Sequence, residues 1–333
     1  MSIFQNFPSI ILIVLVVLSG AFIVYMRYEA TRLKVEHVNP FGADADDGSA
    51  VNLRIVHITD IHLKTLKIPL YAISDCINKS HPDVVLLTGD YIDKSSEIPG
   101  FLKWIDELIK TVTEQNPKFF LCFGNHDQRA FRRDMFAFGR LTAGLDELGV
   151  TVLENMTATL FKNGKKYSFI GYRDISYYKY KSRKYGEEFT NPKRLYARKT
   201  HDGEQTNPRR LSIGSLSDGS LSRDSLSNGL LSDGTNSEDC TRIGMSHNPD
   251  MALHIKEGVV DLLLTGHFHG GQIRLPFKLE YRLLRREQLC KRGITKGLHR
   301  VNGNLLYISR GVGCVLFPLR FMSIPEITVF NLP

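Results

Sequence analysis

DVVLLTGDYID, residues 83 to 93, runs from four apolar residues and a threonine, Val84 to Thr88, into a glycine and then a carboxylate, Asp90. A short apolar run bounded by a turn residue reads as a strand buried on both faces, the kind that fills a layered α/β sheet. A carboxylate at the mouth of such a strand either caps a turn or holds something positively charged. The ends of the other strands bear on the choice.

From about Asn52 the chain alternates β-branched or aromatic runs with helical patterns: LRIVHIT, a helix around 68 to 79, DVVLLT, a helix around 99 to 114, KFFLCF, and a helix around 132 to 148. This alternation predicts a layered α/β fold. Strand-like pieces at 151 to 154, 157 to 162, 166 to 171 and 258 to 265, with NLLYIS and EITVFNL near the end, predict a second, partly antiparallel sheet.

Five of these runs end in residues able to hold a metal. LRIVHIT leads into Asp60-Ile61-His62, VVLLT into Gly89-Asp90, KFFLCF into Gly124-Asn125-His126-Asp127, RIGM into Ser246-His247-Asn248-Pro249, and DLLLT into Gly266-His267-Phe268-His269. Ligands of α/β sheets bind outside the carboxyl ends of the strands, so these side chains are expected to meet in one cleft. A lone Asp-x-His carries little information, whereas the ordered set, each member behind a strand, is not a chance pattern. The remaining histidines fall outside it.

Composition narrows the partners. Forty-three Lys and Arg against 35 Asp and Glu give a net charge of +8, which favours phosphorylated substrates, nucleic acid or an acidic membrane face. Five cysteines with no CxxC spacing speak against a disulfide framework and a thiolate zinc site, and for a reducing compartment.

Residues 10 to 26, IILIVLVVLSGAFIVYM, are almost continuously apolar, with no charged side chain before Arg27. They read as a membrane anchor near the lower length limit for a span. Arg27, Arg32 and Lys34 follow at once, so the positive-inside rule places the bulk of the chain on the cytoplasmic side of the inner membrane. Residues 1 to 27 are thus the expected anchor, 28 to 51 a flexible linker, and 52 to 333 the folded body. Within the body, residues 211 to 235 parse into five pentads opening with Leu-Ser, expected to be a disordered part of an insertion at about 200 to 241.

With DIH, GDYID, GNHD, SHNPD and GHFHGGQ in this order, the chain from about Asn52 onward resembles the calcineurin-like metallophosphoesterases. GHFHGGQIRLP and the closing SRGVG, PLRF and PEITVF make it most similar to their bacterial single-span branch. The resemblance implies a four-layer sandwich of two facing mixed sheets flanked by helices, preceded here by one transmembrane helix. It further implies two divalent metal ions, one held by Asp60, His62 and His269, the other by Asn125, His247 and His267, with Asp90 bridging both. That would answer the question raised by Asp90. The carboxylate, amide and imidazole donors favour Mn²⁺, with Fe or Zn²⁺ also compatible. His126, next to a ligand, is implied to stabilise or protonate the leaving oxygen.

The family leaves the substrate open. The anchor and two basic, aromatic-bearing stretches, 177 to 200 and 277 to 300, point to a phosphorylated lipid at an anionic membrane surface. Arg282, Arg285 and Arg286 are the expected headgroup contacts. Resemblance to the single-span members makes the specific expectation the pyrophosphate of UDP-2,3-diacylglucosamine, cleaved to diacylglucosamine 1-phosphate and UMP in lipid A biosynthesis. Another membrane-tethered phosphodiesterase is the alternative enzyme. A non-catalytic scaffold would be expected to have lost ligands, and nucleic acid is not expected, because no binding module accompanies the basic patches. The sequence leaves the oligomeric state undetermined.

Overall fold

The computed structural model describes residues 3–42, 51–112, 116–177, 210–212 and 240–333. Among them, thirteen strands form two sheets. The first runs in the order β1 (Lys34–Val38), β13 (Glu326–Leu332), β2 (Leu53–Ile58), β3 (Val84–Thr88), β4 (Lys118–Cys122) and β5 (Val150–Val152). The second runs β11 (Gly297–Val301), β12 (Asn304–Ile308), β10 (Leu262–Thr265), β9 (Cys240–Met245), β7 (Lys165–Gly171), β6 (Thr157–Lys162) and β8 (Arg210–Ser212). Both are mixed: β2, β3 and β4 are parallel while β13 runs against β2, and β7, β9, β10 and β12 are parallel while β6 runs against β7 and β11 against β12.

The two sheets face each other. Period-two alternation sends Leu53 and Ile55, Val84 and Leu86, and Phe120 and Cys122 into the space between the sheets, where they meet Leu160, Phe169, Met245 and Leu264. The intervening residues Val56, Ile58, Val85, Leu87, Phe119 and Leu121 point the other way, against α2 (Leu70–Ser80), α3 (Ile98–Thr111) and α5 (Ala137–Glu147). Burial on both faces is why these strands read as unbroken apolar runs. The outer face of the second sheet is covered by shorter pieces around Met251, Phe268, Tyr281 and Leu289. Helix, sheet, sheet and short helices make the four layers expected.

Two boundaries differ from the sequence reading. The single helix expected around 132 to 148 is two, α4 (Asn125–Arg133) and α5, because Asp134 takes an extended backbone and ends the first. More consequential is the stretch expected to be linker. Helix α1 (Ile3–Glu29) continues past the apolar run, and Lys34–Val38 then forms an edge strand parallel to Glu326–Leu332. Its KVEHV pattern is too polar to announce a strand by itself. Its partner lies some three hundred residues away, and the Arg310 guanidinium pins Glu36 at 2.8 Å. The pentads lie outside the described residues except Leu211 and Ser212, which belong to β8. The basic stretch at 177 to 200 lies outside them except Tyr177. The five cysteines are free.

Candidate metal centre

The carboxyl ends of β2, β3, β4, β9 and β10 open onto one cleft. The loops after β2 and β3 are joined backbone to backbone: Asp60 N–H donates to the Gly89 carbonyl at 3.0 Å and His62 N–H to the Asp90 carbonyl at 2.8 Å. Close approach dictates small residues. A Cβ on Gly89 would stand 2.5 Å from the Gly124 nitrogen, and one on Gly124 would stand 2.2 Å from Asp90 Oδ1. No side chain fits at either position.

The structure brings the strand-end residues together in two groups. Asp60, His62 and His269 offer ligand atoms within 4.8 Å of one another, and so do Asp90, His247 and His267; all six are buried. Asp90 lies between the groups, its Oδ2 3.0 Å from His247 Nε2 and 3.5 Å from His62 Nε2. A third cluster, His62, Asp93 and His126, meets the same distance test, but Asp93 is already engaged by His126 and Arg129.

Three features of this cleft fit cations rather than a network complete in itself. First, His62 Nε2, His269 Nε2 and the Asn125 side-chain oxygen are buried and lack a hydrogen-bond partner, although His269 Nε2 is 3.0 Å from Asp60 Oδ1. Orphaned buried polar atoms are costly unless something else satisfies them. Second, the tautomers are set from outside. The Thr88 carbonyl accepts from His247 Nδ1 at 2.8 Å and Glu287 from His267 Nε2 at 2.7 Å. His247 Nε2 and His267 Nδ1 then face each other at 3.2 Å, which requires a proton or a cation to accompany them. Third, Asp60, His62, Asp90, His267 and His269 all have φ between 40° and 72°. Left-handed backbone is uncommon outside glycine and clusters where function over-determines the geometry.

The electrostatics agree. Burial opposes charge on every group here, yet the histidines outweigh it and hold the Asp60 and Asp90 carboxyls below the ordinary range. Burial likewise opposes a charged His247, but Asp90 and Asp60 raise it to about 10. Two buried carboxylates thus retain a positive charge beside them. Bound cations would take over that role and release the proton.

Asp127, which the sequence reading does not single out as a site residue, organises the loops. Its carboxylate accepts from the backbone N–H groups of Asp90, Tyr91, Ile92 and Gly124 at 2.8 to 3.0 Å. Burial and the neighbouring Asp90 push it up to about 7 despite those donors. Asp93 and Glu287 are likewise absent from the sequence-based set. Asp93 is visible as the last letter of GDYID and Asp127 as the third residue of a helix-capping pattern, whereas Glu287 carries no signal within its basic stretch.

His126 stands beside the two groups. Its backbone N–H donates to Asp90 Oδ1 at 2.8 Å. Its Nδ1 lies in short contact with Asp93, and Arg129 donates to the same Asp93 oxygen at 3.0 Å. Arg129 also stands 2.8 Å from Nδ1, so Asp93 and Arg129 together fix the ring through Nδ1 and leave Nε2 free, 3.9 Å from Asp90 Oδ2. Burial lowers the His126 pKa, but Asp90 and Asp93 more than offset this and raise it.

The structure separates the three arginines. Arg285 donates to the His267 carbonyl at 2.9 Å and lies over the Phe268 ring. It supports the wall of the site. Arg282 and Arg286 are both exposed to solvent, and the Arg286 backbone N–H donates to Glu287 at 2.9 Å.

The profile of the calcineurin-like phosphoesterases matches residues 53–271. Among similar proteins, the uncharacterized metallophosphoesterase YkoQ of Bacillus subtilis is 27% identical over 318 residues, 94% of this chain and 97% of that one. The phosphodiesterase YaeI of Escherichia coli is 27% identical over 289 residues, covering 85% of this chain and 83% of its own length. The UDP-2,3-diacylglucosamine pyrophosphatase LpxG of Chlamydia muridarum is 26% identical over 302 residues, with 84% of this chain and 83% of that one covered.

Proposed function

The chain belongs to the calcineurin-like phosphoesterase family, a metal-dependent hydrolase by descent, and on that premise we propose that it is a membrane-anchored enzyme acting on a lipid-linked phosphoanhydride. The substrate we propose is UDP-2,3-diacylglucosamine, the substrate named for the Chlamydia relative. Water would add to one phosphorus of the pyrophosphate, yielding UMP and diacylglucosamine 1-phosphate.

One observation carries this reading: the apolar helix and the candidate metal centre are joined by consecutive contacts. Glu29, at the end of α1, accepts from the Ser323 backbone N–H at 2.6 Å, and the Ser323 hydroxyl donates to the His269 carbonyl at 2.7 Å. Helix α1 carries the one segment among the described residues long and apolar enough to cross a membrane, Ser9–Glu29. The proposed phosphate centre and the proposed membrane helix thus share one wall. Arg27, Arg32 and Lys34 would keep the body on the cytoplasmic side.

In this reading Asp60, His62 and His269 would hold one divalent ion and Asn125, His247 and His267 the other, with Asp90 available to both; Mn²⁺ is the first choice. When bound, such a pair supplies Lewis-acid stabilisation of the developing phosphoryl charge and a water of lowered pKa. The protein supplies the rest. Glu287 and Thr88 fix the tautomers of His267 and His247, so that their free nitrogens face inward. Asp127 holds the loops after β3 and β4 in register. His126, kept in orientation by Asp93, presents Nε2 to the leaving oxygen as a proton donor.

His126→Ala should therefore lower kcat by roughly a hundredfold or more, the range for losing a general acid, while the metal content by elemental analysis stays near that of the parent. Collapse of the metal content with His126, and its survival on loss of His247, would show that the roles are misassigned.

The substrate is tested with detergent-solubilised full-length protein, comparing UDP-2,3-diacylglucosamine with bis-p-nitrophenyl phosphate and following UMP release. The expected outcome is a kcat/KM larger by orders of magnitude for the lipid. Equal constants would leave a membrane phosphodiesterase, as the Escherichia coli relative is named a phosphodiesterase.

A further inference from the structure

We propose that the face bearing Leu275, Phe277, Leu316, Phe317 and Met322 docks on an anionic lipid bilayer and seats the wall of the metal centre at the membrane surface; this rests on reading α1 as the anchor. These side chains are exposed to 43%, 82%, 81%, 67% and 61%. They are not scattered. The Gln272 side chain accepts from the Val315 N–H and donates to the Val315 and Phe317 carbonyls, while Arg274 N–H and Phe321 N–H pair with the carbonyls of Phe321 and Gln272. Two segments far apart in sequence are thereby held side by side, presenting one apolar rim.

The backbone sets these residues apart from ordinary exposed hydrophobics. Phe277, Leu316 and Met322 have φ of 57°, 63° and 55°. Bulky residues rarely adopt that conformation. Here it places large apolar side chains in water, where neither the fold nor the solvent gains from them. A partner outside the protein accounts for both the strain and the exposure.

Continuity with the anchor identifies that partner. Phe321 lies edge-on to Phe22 with ring centroids 5.0 Å apart, and Arg320 N–H donates to the Met26 carbonyl at 3.0 Å. Met26, Glu29 and Ala30 are buried against the body, whereas the apolar side chains from Ile10 to Leu18 are largely exposed. The helix therefore leaves the protein in a fixed direction, beside the rim. Pro318 lines an open groove of about 380 Å³ with Val24, Arg27, Tyr28, Thr31 and Lys67. If α1 crosses the hydrocarbon, Leu316 and Phe317 fall at the boundary between acyl chains and headgroups, and Arg27 and Lys67 fall where lipid phosphates lie. Lys278 and Arg282 add positive charge beside Phe277. Apolar tips ringed by cations suit an anionic bilayer better than a second copy of this basic chain. The same rim reaches the metal centre, because Gln272 is three residues beyond His269.

The test uses the full-length chain in nanodiscs containing phosphatidylglycerol, with lipids brominated along the acyl chains as quenchers. The sole tryptophan, Trp104, is removed as Trp104→Phe, and a reporter is introduced as Phe317→Trp or Phe277→Trp. The control is Phe161→Trp: Phe161 pairs with Lys166, which pairs with Cys240, at the end of the sheet away from the metal centre. Quenching several-fold stronger at 317 and 277 than at 161 is the expected result. Equal or absent quenching at 317 and 277 overturns the proposal, and nanodiscs that hold two chains with those positions unquenched would assign the rim to a contact between copies. Hydrolysis of bis-p-nitrophenyl phosphate by the same variants keeps the two readings apart. Lost quenching with intact hydrolysis removes the docking surface alone, whereas strong quenching without any phosphoesterase activity supports docking and removes the proposed function.

Discussion

Asp90→Ala is expected to abolish turnover, by at least about a thousandfold, the upper end of what one electrostatic group contributes in mutagenesis, and to lower the metal content of the purified protein. Two proposed ion sites share this one side chain, so its loss acts on both at once. Its Oδ2 lies 3.0 Å from His247 Nε2 and 3.5 Å from His62 Nε2, and its Oδ1 fixes the His126 backbone at 2.8 Å. Without it, four of the remaining proposed ligands are neutral imidazoles and one is an amide, leaving Asp60 as the only carboxylate to offset two divalent charges. Like charges then repel across the site. Asp90 is only 1% exposed, so folding must be checked separately by circular dichroism and thermal unfolding. A folded variant that still binds two ions and turns over at near-parent rates would sink the assignment. Asp90→Asn sharpens the test, since it preserves shape while removing the shared charge.

Much of this arrangement is legible in the sequence because its signals are local. Val84 to Leu87 announce a strand because both faces of β3 are buried, one against α2 and α3 and the other against the second sheet. Parallel strands put their carboxyl ends on one edge, so the order of the strands alone brings together residues about two hundred positions apart, such as Asp60 and His269. What escapes a sequence reading depends on distant partners. Lys34–Val38 becomes a strand only because Glu326–Leu332 arrives beside it. Glu287 is an isolated acid in a basic stretch until the fold places His267 2.7 Å away. Arg285 groups with Arg282 and Arg286 by sequence because charge alone cannot tell a guanidinium bonded to a carbonyl from one facing water. The left-handed backbone at Asp60, His62, Asp90, His267 and His269 is equally hidden, since residue type favours that conformation only weakly and the surrounding loops impose it.

Shortening both acyl chains of UDP-2,3-diacylglucosamine by four carbons is expected to lower kcat/KM by about a hundredfold to ten-thousandfold in detergent-matched assays. Each methylene transferred from water into an apolar environment contributes about 0.8 kcal/mol, so eight of them give at most about 6 kcal/mol. Partial exposure of the bound chains reduces that figure, which sets the lower end of the range. The anhydride is unchanged across the series, so chemistry at the metal centre predicts no dependence on length. Reversing two surface charges as Arg282→Glu and Arg286→Glu should raise KM for the long-chain lipid much more than for bis-p-nitrophenyl phosphate, because the small ester reaches the metals without crossing that surface. Arg285 is left out of this comparison: its bond to the His267 carbonyl means that reversal would disturb the centre and slow both substrates alike. A flat response to acyl length, or equal effects of the two reversals on both substrates, would remove the lipid substrate and leave the family's hydrolytic chemistry standing, because the acyl-length series varies only the apolar contacts and the reversals change only surface charge.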